Sequence, residues 1–374
     1  MPRATVDITP AGQRPDEDPS LAVRNNGGVA PSTEPAPAGR REALLVLSFG
    51  GPEGQDDVLP FLENVTRGRG IPRERLEEVA EHYRHFGGVS PINDQNKALI
   101  AAVEKELAAA GVDLPVYWGN RNWAPYVEDT WRQMAEDGIE HVYVFATSAY
   151  ASFSGCRQYH EDIARARVSY GHDSTRPTPT AEKLPHYFDT PGFVQANADA
   201  LAAAIASLPE SLRDTARLVA TAHSIPTAMA AVAGPHGGAY EAELMAAAER
   251  VVAEAAPGRS FDLVWQSRSG PPSVPWLEPD VNDHLRVLAA QGERAVVLFP
   301  VGFISDHLEV IWDLDNEAKQ TAEELGLAFA RAATAGTHPA FVDSIRGLLE
   351  ERRAGGLPRL GTDCPAACCF VQRP

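Results

Sequence analysis

Three acids, Glu309, Asp313 and Glu317, stand four residues apart in "FPVGFISDHLEVIWDLDNEAKQ", just after an apolar run that reads as a buried strand. Like charges at that spacing repel on a helix unless the face is solvated or something positive visits it. Exposed amphipathic faces account for most such charges. Here Leu308, Ile311, Trp312 and Leu314 crowd the acids and leave little room for a purely polar surface. A wider π-type turn brings the three acids closer to one line. Such a line can carry protons or hold a divalent cation on oxygen.

The second candidate is His223, in "TAHSIP". A histidine at a strand end can be a packed residue. At the mouth of a parallel sheet it can also act as a base near neutral pH or as a metal ligand. The third is "SRSGPPSVPWLEPDV", with prolines at 271, 272, 275 and 279 around Trp276. It reads either as a rigid spacer or, with Trp265, Phe86 and Tyr150, as the lining of an apolar slot for a flat ligand.

The chain has four cysteines, Cys156, Cys364, Cys368 and Cys369, three of them in its last eleven residues. The terminal set reads as a zinc knuckle or an inert tail, and Cys156 alone as a buried apolar residue. A 2Fe-2S cluster needs four ligands, and the chain holds four in total. Gly50-Gly51-Pro52-Glu53-Gly54 lacks the spacing of a dinucleotide loop, and there is no Walker sequence, which argues against a nucleotide role.

These residues need elements to carry them. From "EALLVLSFGG" onward, apolar β-rich runs alternate with helical patterns. Strands are expected at residues 43–49, at "LPVYWGN" and "EHVYVFATSAY", then at "ARLVATAHS", "FDLVWQS", "RAVVLFPVGF" and 327–332, with helices between them, including one at 155–168. That rhythm predicts an α/β chain of two Rossmann-like, doubly wound domains with parallel sheets. Ligands of such sheets bind beyond the carboxyl ends of the strands, and the cleft between the domains is the expected active site. The predicted organisation is a disordered tail over 1–41, a first domain over 42–184 completed by a C-terminal helix at 337–355, a second domain over 185–336, and a cysteine-rich segment over 356–374.

Bulk properties limit the partners. A formal charge of -18 disfavours nucleic acid and other polyanions and is compatible with a cationic metal. No apolar run approaches the ~20 residues of a membrane span. The N-terminus lacks the apolar centre of a secretory signal, so a cytoplasmic protein is expected.

The motifs "LSFGGPEG", "HFGGVSPIN", "TAHSIP", "WQSRSGPPSVPWLEPDV" and "FPVGFISDHLEVIWDLDNEA" occur together and in order, and from about Ala43 to about Arg353 the chain resembles the ferrochelatases. The resemblance implies insertion of Fe2+ into a porphyrin, with no nucleotide consumed. By motif, His223 matches the family's active-site histidine, which takes pyrrole protons or meets the metal. Glu309 matches its partner acid, and Asp313 with Glu317 continue an acidic relay for protons or metal. The branch it most resembles uses coproporphyrin III, a tetra-acid, and includes a subset with a 2Fe-2S cluster on one internal and three C-terminal cysteines. Cys156, Cys364, Cys368 and Cys369 stand in those places. Phe49 stands where some of these enzymes carry a tyrosine that contacts bound iron, so that ligand is expected to be missing. Ser90, Arg121, Tyr159 and Trp276 fall in regions of the family's porphyrin pocket, and the first three are expected near propionates. Transient contacts with other enzymes of haem synthesis follow from the same resemblance. Alternatives are a protoporphyrin IX ferrochelatase, a chelatase for another metal such as cobalt, and, outside catalysis, a haem carrier or Fe-S redox sensor.

Overall fold

A computed structural model describes residues 39–68, 70–269, 273–356 and 368–369. The expected tail therefore lies outside the described residues except for 39–41. So do Pro271, Pro272 and most of the cysteine-rich segment, Cys364 included.

The described residues form two compact units. Among the described residues, the first draws on 39–148, 154–185 and 345–356, and the second on 149–153, 186–344 and 368–369. The helix Pro339–Arg353 is shared by chain membership, since the division falls after Ser344.

In the first unit, strands β1 (Glu42–Ser48), β2 (Val116–Asn120), β3 (His141–Ala146) and β4 (Thr180–Lys183) lie in the order β2-β1-β3-β4, all parallel. β1 is central, with Leu45 paired to Tyr117 on one side and Val144 on the other. Its residues Ala43 to Leu47 are wholly buried, which is why the strand reads as a continuous apolar run. Leu45, Trp131, Met134, Val144 and Ile163 form part of one core cluster.

β4 is the strand that the sequence reading missed. Its sequence, Thr-Ala-Glu-Lys, is short and polar, yet Glu182 and Lys183 are buried. Glu182 is paired with the buried Arg352 of the C-terminal helix, a long-range partner that no local pattern announces. The helix expected at 155–168 begins as a π-turn over Phe153–Arg157 and continues as an α-helix over Gln158–Asp173.

The second unit repeats the topology. Strands β5 (Arg217–His223), β6 (Phe261–Gln266), β7 (Ala295–Phe299) and β8 (Ala328–Arg331) lie in the order β6-β5-β7-β8, again parallel. After β7 the chain turns through Ser305 and forms a short helix, Leu308–Val310, that runs into a π-helix over Ile311–Ala318. Val310, Leu314 and Ala318 are wholly buried in the core with Val219, Val296 and Leu298. Each large aliphatic side chain so buried contributes about 1.5–3 kcal/mol. The buried row repeats every fourth residue, one position after each acid of the ladder, so packing holds the acidic row away from the core.

Candidate functional site

His223 is the last residue of β5 and pairs in register with Gln266, the last residue of β6. Its backbone is held closely. The Tyr240 hydroxyl donates to the His223 carbonyl at 2.8 Å, and Ser224 donates its amide to Gln266 O at 2.8 Å and its hydroxyl to Leu277 O at 2.8 Å. The ring nitrogen Nδ1 faces the Ser224 carbonyl, which leaves Nε2 pointing to Glu309. Nε2 lies 3.7 Å from Glu309 Oε2, an ion-pair distance.

The electrostatics of the pair agree in direction. Burial opposes charge on His223, but Glu309, the Ser224 carbonyl and Asp313 outweigh it and raise its pKa. Burial likewise opposes charge on Glu309, and His223 with His307 overcomes it, holding the carboxyl at about 2. The Glu309 side chain is 46% exposed, so solvent screens this attraction and the direction matters more than its size.

Asp313 behaves oppositely. Its burial is the main cause of a pKa raised to about 7, and the charges of Glu309 and Glu317 add to it, against the Ser267 hydroxyl bond and the charge of His223. Asp313 Oδ2 accepts from the Ser267 hydroxyl and from Gln266 Nε2 at 3.3 Å. Ser267 has φ 62°, a left-handed backbone that L residues with a Cβ seldom adopt. Strain of that kind clusters at functional sites. Glu317 is exposed. The wide turn expected around the ladder is present, and Asp313 and Glu317 lie on it.

Trp276 sits on the loop that meets the end of β5, where Pro226 and Trp276 form a bridge and Leu277 N donates to Ile225 O at 3.0 Å. Its indole Nε1 is buried without a hydrogen-bond partner. Thus the second unit assembles His223, Glu309, Asp313, Glu317 and Trp276 around the strand ends of one sheet.

The other expected pocket residues belong to the first unit. Phe49 is 37% exposed, edge-on to Phe61, and Ser90 is buried against the Gly51 backbone. Arg121 and Tyr159 are buried, with the guanidinium 4.1 Å from the tyrosine ring centroid. Arg121 Nε donates to Asp162 at 2.5 Å, and Nη1 reaches Ser154 O and Gln158. Both side chains are already engaged within the unit, a setting that their local sequence did not reveal.

Cys156, Cys368 and Cys369 are buried. The sulfurs of Cys368 and Cys369 lie 3.8 Å apart, and Gly234 N donates to Cys369 Sγ at 3.1 Å. Among the described residues no group of three or more His, Cys, Asp or Glu is placed to hold a metal ion, and no helix is long and apolar enough to cross a membrane.

Sequence reading missed Ser267, Gln266 and His307. All three lie inside the quoted motifs, but only the strand register and the π-helix bring them to the acids.

The ferrochelatase family model matches residues 41–353, most of the chain. The chain belongs to the ferrochelatase family. Among curated relatives, the coproporphyrin III ferrochelatase of Nocardia farcinica is 58% identical over 346 residues, covering 89% of this chain and 97% of the relative. That of Mycolicibacterium smegmatis is 59% identical over 318 residues, covering 85% and 92%. Among solved structures, SirB from Bacillus subtilis with Fe3+ matches with a TM-score of 0.51 at 12% identity, over 84% of this chain and 98% of that one. At that identity the match concerns the fold, which for this ferrochelatase is of the chelatase type.

Proposed function

We propose that the protein inserts Fe2+ into coproporphyrin III to give coproheme III, a step of haem synthesis. The family assignment and the names of the relatives at 51–59% identity support the reaction. The observation that carries the mechanism is the line from His223 through Glu309 to Asp313 and Glu317, in which neighbouring acids have opposite proton affinities.

The porphyrin loses two N–H protons as the metal enters. His223 Nε2, set by the Nδ1 contact to Ser224, is the proton acceptor or the metal contact. Glu309, ionised across the working pH range, stabilises the imidazolium or receives the incoming Fe2+. Asp313, with a pKa at about 7, can take up and release a proton near neutrality, and the exposed Glu317 passes it to solvent. Trp276 offers an aromatic face and an unsatisfied N–H at the same strand ends. A cytoplasmic setting belongs to the same proposal, since a tetra-acid porphyrin is water-soluble.

A 2Fe-2S cluster on Cys156, Cys364, Cys368 and Cys369 is also proposed. Two thiolates on one tetrahedral iron stand roughly 3.8 Å apart if metal–sulfur bonds are ~2.3 Å. The 3.8 Å between Cys368 and Cys369 sulfurs fits that requirement, and the Gly234 N–H suits a thiolate acceptor. Cys364 lies outside the described residues. When bound, the cluster supplies one-electron redox chemistry, and no step of metal insertion is assigned to it.

The function is tested by offering purified protein Fe2+ with coproporphyrin III and protoporphyrin IX side by side. Preferential metallation of coproporphyrin III is expected, and failure to metallate either would refute the proposal. The cluster is tested by visible absorption: a brown protein bleached by Cys156→Ser is expected, and a colourless, folded, active wild type rules the cluster out.

A further inference from the structure

We propose that Arg331 is a positioning residue of this site, a guanidinium clamp that holds the segment carrying Glu309, Asp313 and Glu317 by gripping Asp306 and Asp315. The effect on turnover rests on the function proposed above, whereas the effect on the segment stands on geometry alone.

Arg331 ends β8 and is paired with Leu298 of the fully buried β7, so its backbone has a rigid base. Its side chain is 14% exposed. Nε and Nη2 donate to the two oxygens of Asp315 at 2.7 Å each, the parallel fork that makes arginine–carboxylate pairs specific as well as strong. Nη1 donates to Asp306 Oδ1 at 3.0 Å and Nη2 to Asp306 Oδ2 at 3.4 Å. One guanidinium thus engages two carboxylates with all three nitrogens.

The positions of those carboxylates give the clamp its meaning. Asp306 lies three residues before Glu309, in the turn that leads from β7, and Asp315 lies on the π-helix midway between Asp313 and Glu317. The grip therefore brackets the acidic row. On the core side the segment is held by Val310, Leu314 and Ala318, and Asp313 itself is held by Ser267 and Gln266. Arg331 supplies a polar anchor on a separate strand.

A π-helix requires such outside support because it is rare and forms mostly as single turns. Relaxation to the α form would rotate the acids relative to one another and to their partners, since an α turn holds fewer residues than a π turn. Removing the guanidinium also leaves Asp306 and Asp315 without their shared cation. A partly buried carboxylate that loses a bidentate cation, as Asp315 would, is costly, and moving the segment toward water is the simplest relief.

The experiment measures amide hydrogen exchange and Fe2+ insertion in full-length wild type, Arg331→Gln and Arg331→Lys. In Arg331→Gln, exchange across residues 306–318 is expected to rise about tenfold while that of β5 and β7 stays at the wild-type rate. The kcat is expected to fall about tenfold, with KM for the porphyrin within about twofold, and Arg331→Lys, which keeps the charge but not the fork, falls between. The proposal is overturned if exchange over 306–318 is unchanged in the folded variant, if it rises evenly across the unit, or if it rises locally with kcat untouched. If Arg331→Gln does not fold, Arg331→Lys decides by the same criteria. Should wild type leave both porphyrins unmetallated, the proposed function fails, and the exchange pattern alone decides whether Arg331 holds the segment.

Discussion

His223 Nε2 and Glu309 Oε2 stand 3.7 Å apart, a base at the end of one strand facing an acid that begins a helix after the neighbouring strand. Each raises the charged population of the other, so the two act as a unit. Removal of either is expected to cost about a hundredfold or more in iron insertion, the range of a general base. Porphyrin binding, measured by fluorescence quenching, should survive in His223→Ala and Glu309→Gln, and the double variant should be little worse than each single one. Wild-type insertion rates in both variants would refute the assignment.

Asp313 should give the reaction its pH dependence near neutrality. Its folded pKa, about 7, lies above the usual carboxylate value. The native state therefore keeps a proton that the unfolded chain releases. The native state is penalised fully above about pH 7, and the penalty vanishes below the unfolded value of ~3.9. Asp313→Asn should thus gain stability relative to wild type on going from pH 5 to pH 8, read as the difference in urea midpoints. The kcat limb near pH 7 should disappear in the same variant.

The Ser267 hydroxyl draws the Asp313 pKa down, and the backbone beneath it is strained. Ser267→Ala and Ser267→Gly both lose the bond, so in both the pH limb should move upward. Glycine alone tolerates the left-handed backbone freely, so Ser267→Gly should be more stable than Ser267→Ala by about 1 kcal/mol. Equal thermal midpoints for the two would show that the strain is not felt.

Legibility in the sequence followed the range of the forces involved. Seven of the eight strands show as apolar runs because a strand buried on both faces needs apolar residues whichever strands it pairs with, and the acids show through their spacing. β4 did not show, since the buried Glu182 is paired with Arg352, distant in the chain. The roles of Ser267 and Arg331 were hidden for the same reason. Ser267 reaches Asp313 across 46 residues, and Arg331 reaches back across 25 to Asp306.

Gly302, in the "FPVGF" motif, shows how closely packing sets the histidine. A Cβ there would lie 2.6 Å from Ala222 Cβ and 2.7 Å from Ala222 Cα, next to His223, while Gly302 N donates to Thr221 O at 3.1 Å. The backbone of β5 would have to give way, and overpacking of this kind costs about 1–3 kcal/mol. Gly302→Ala is expected to lower the thermal midpoint and also kcat, because β5 carries His223 and a displaced strand end changes the distance from His223 to Glu309. Gly54→Ala, where an added Cβ meets nothing within 4 Å and which lies at a helix N-cap away from β5, is the control for kcat, which should stay at the wild-type value. A Gly302→Ala protein with wild-type kcat below its melting range would show that the spacing of His223 and Glu309 tolerates a shift of the strand.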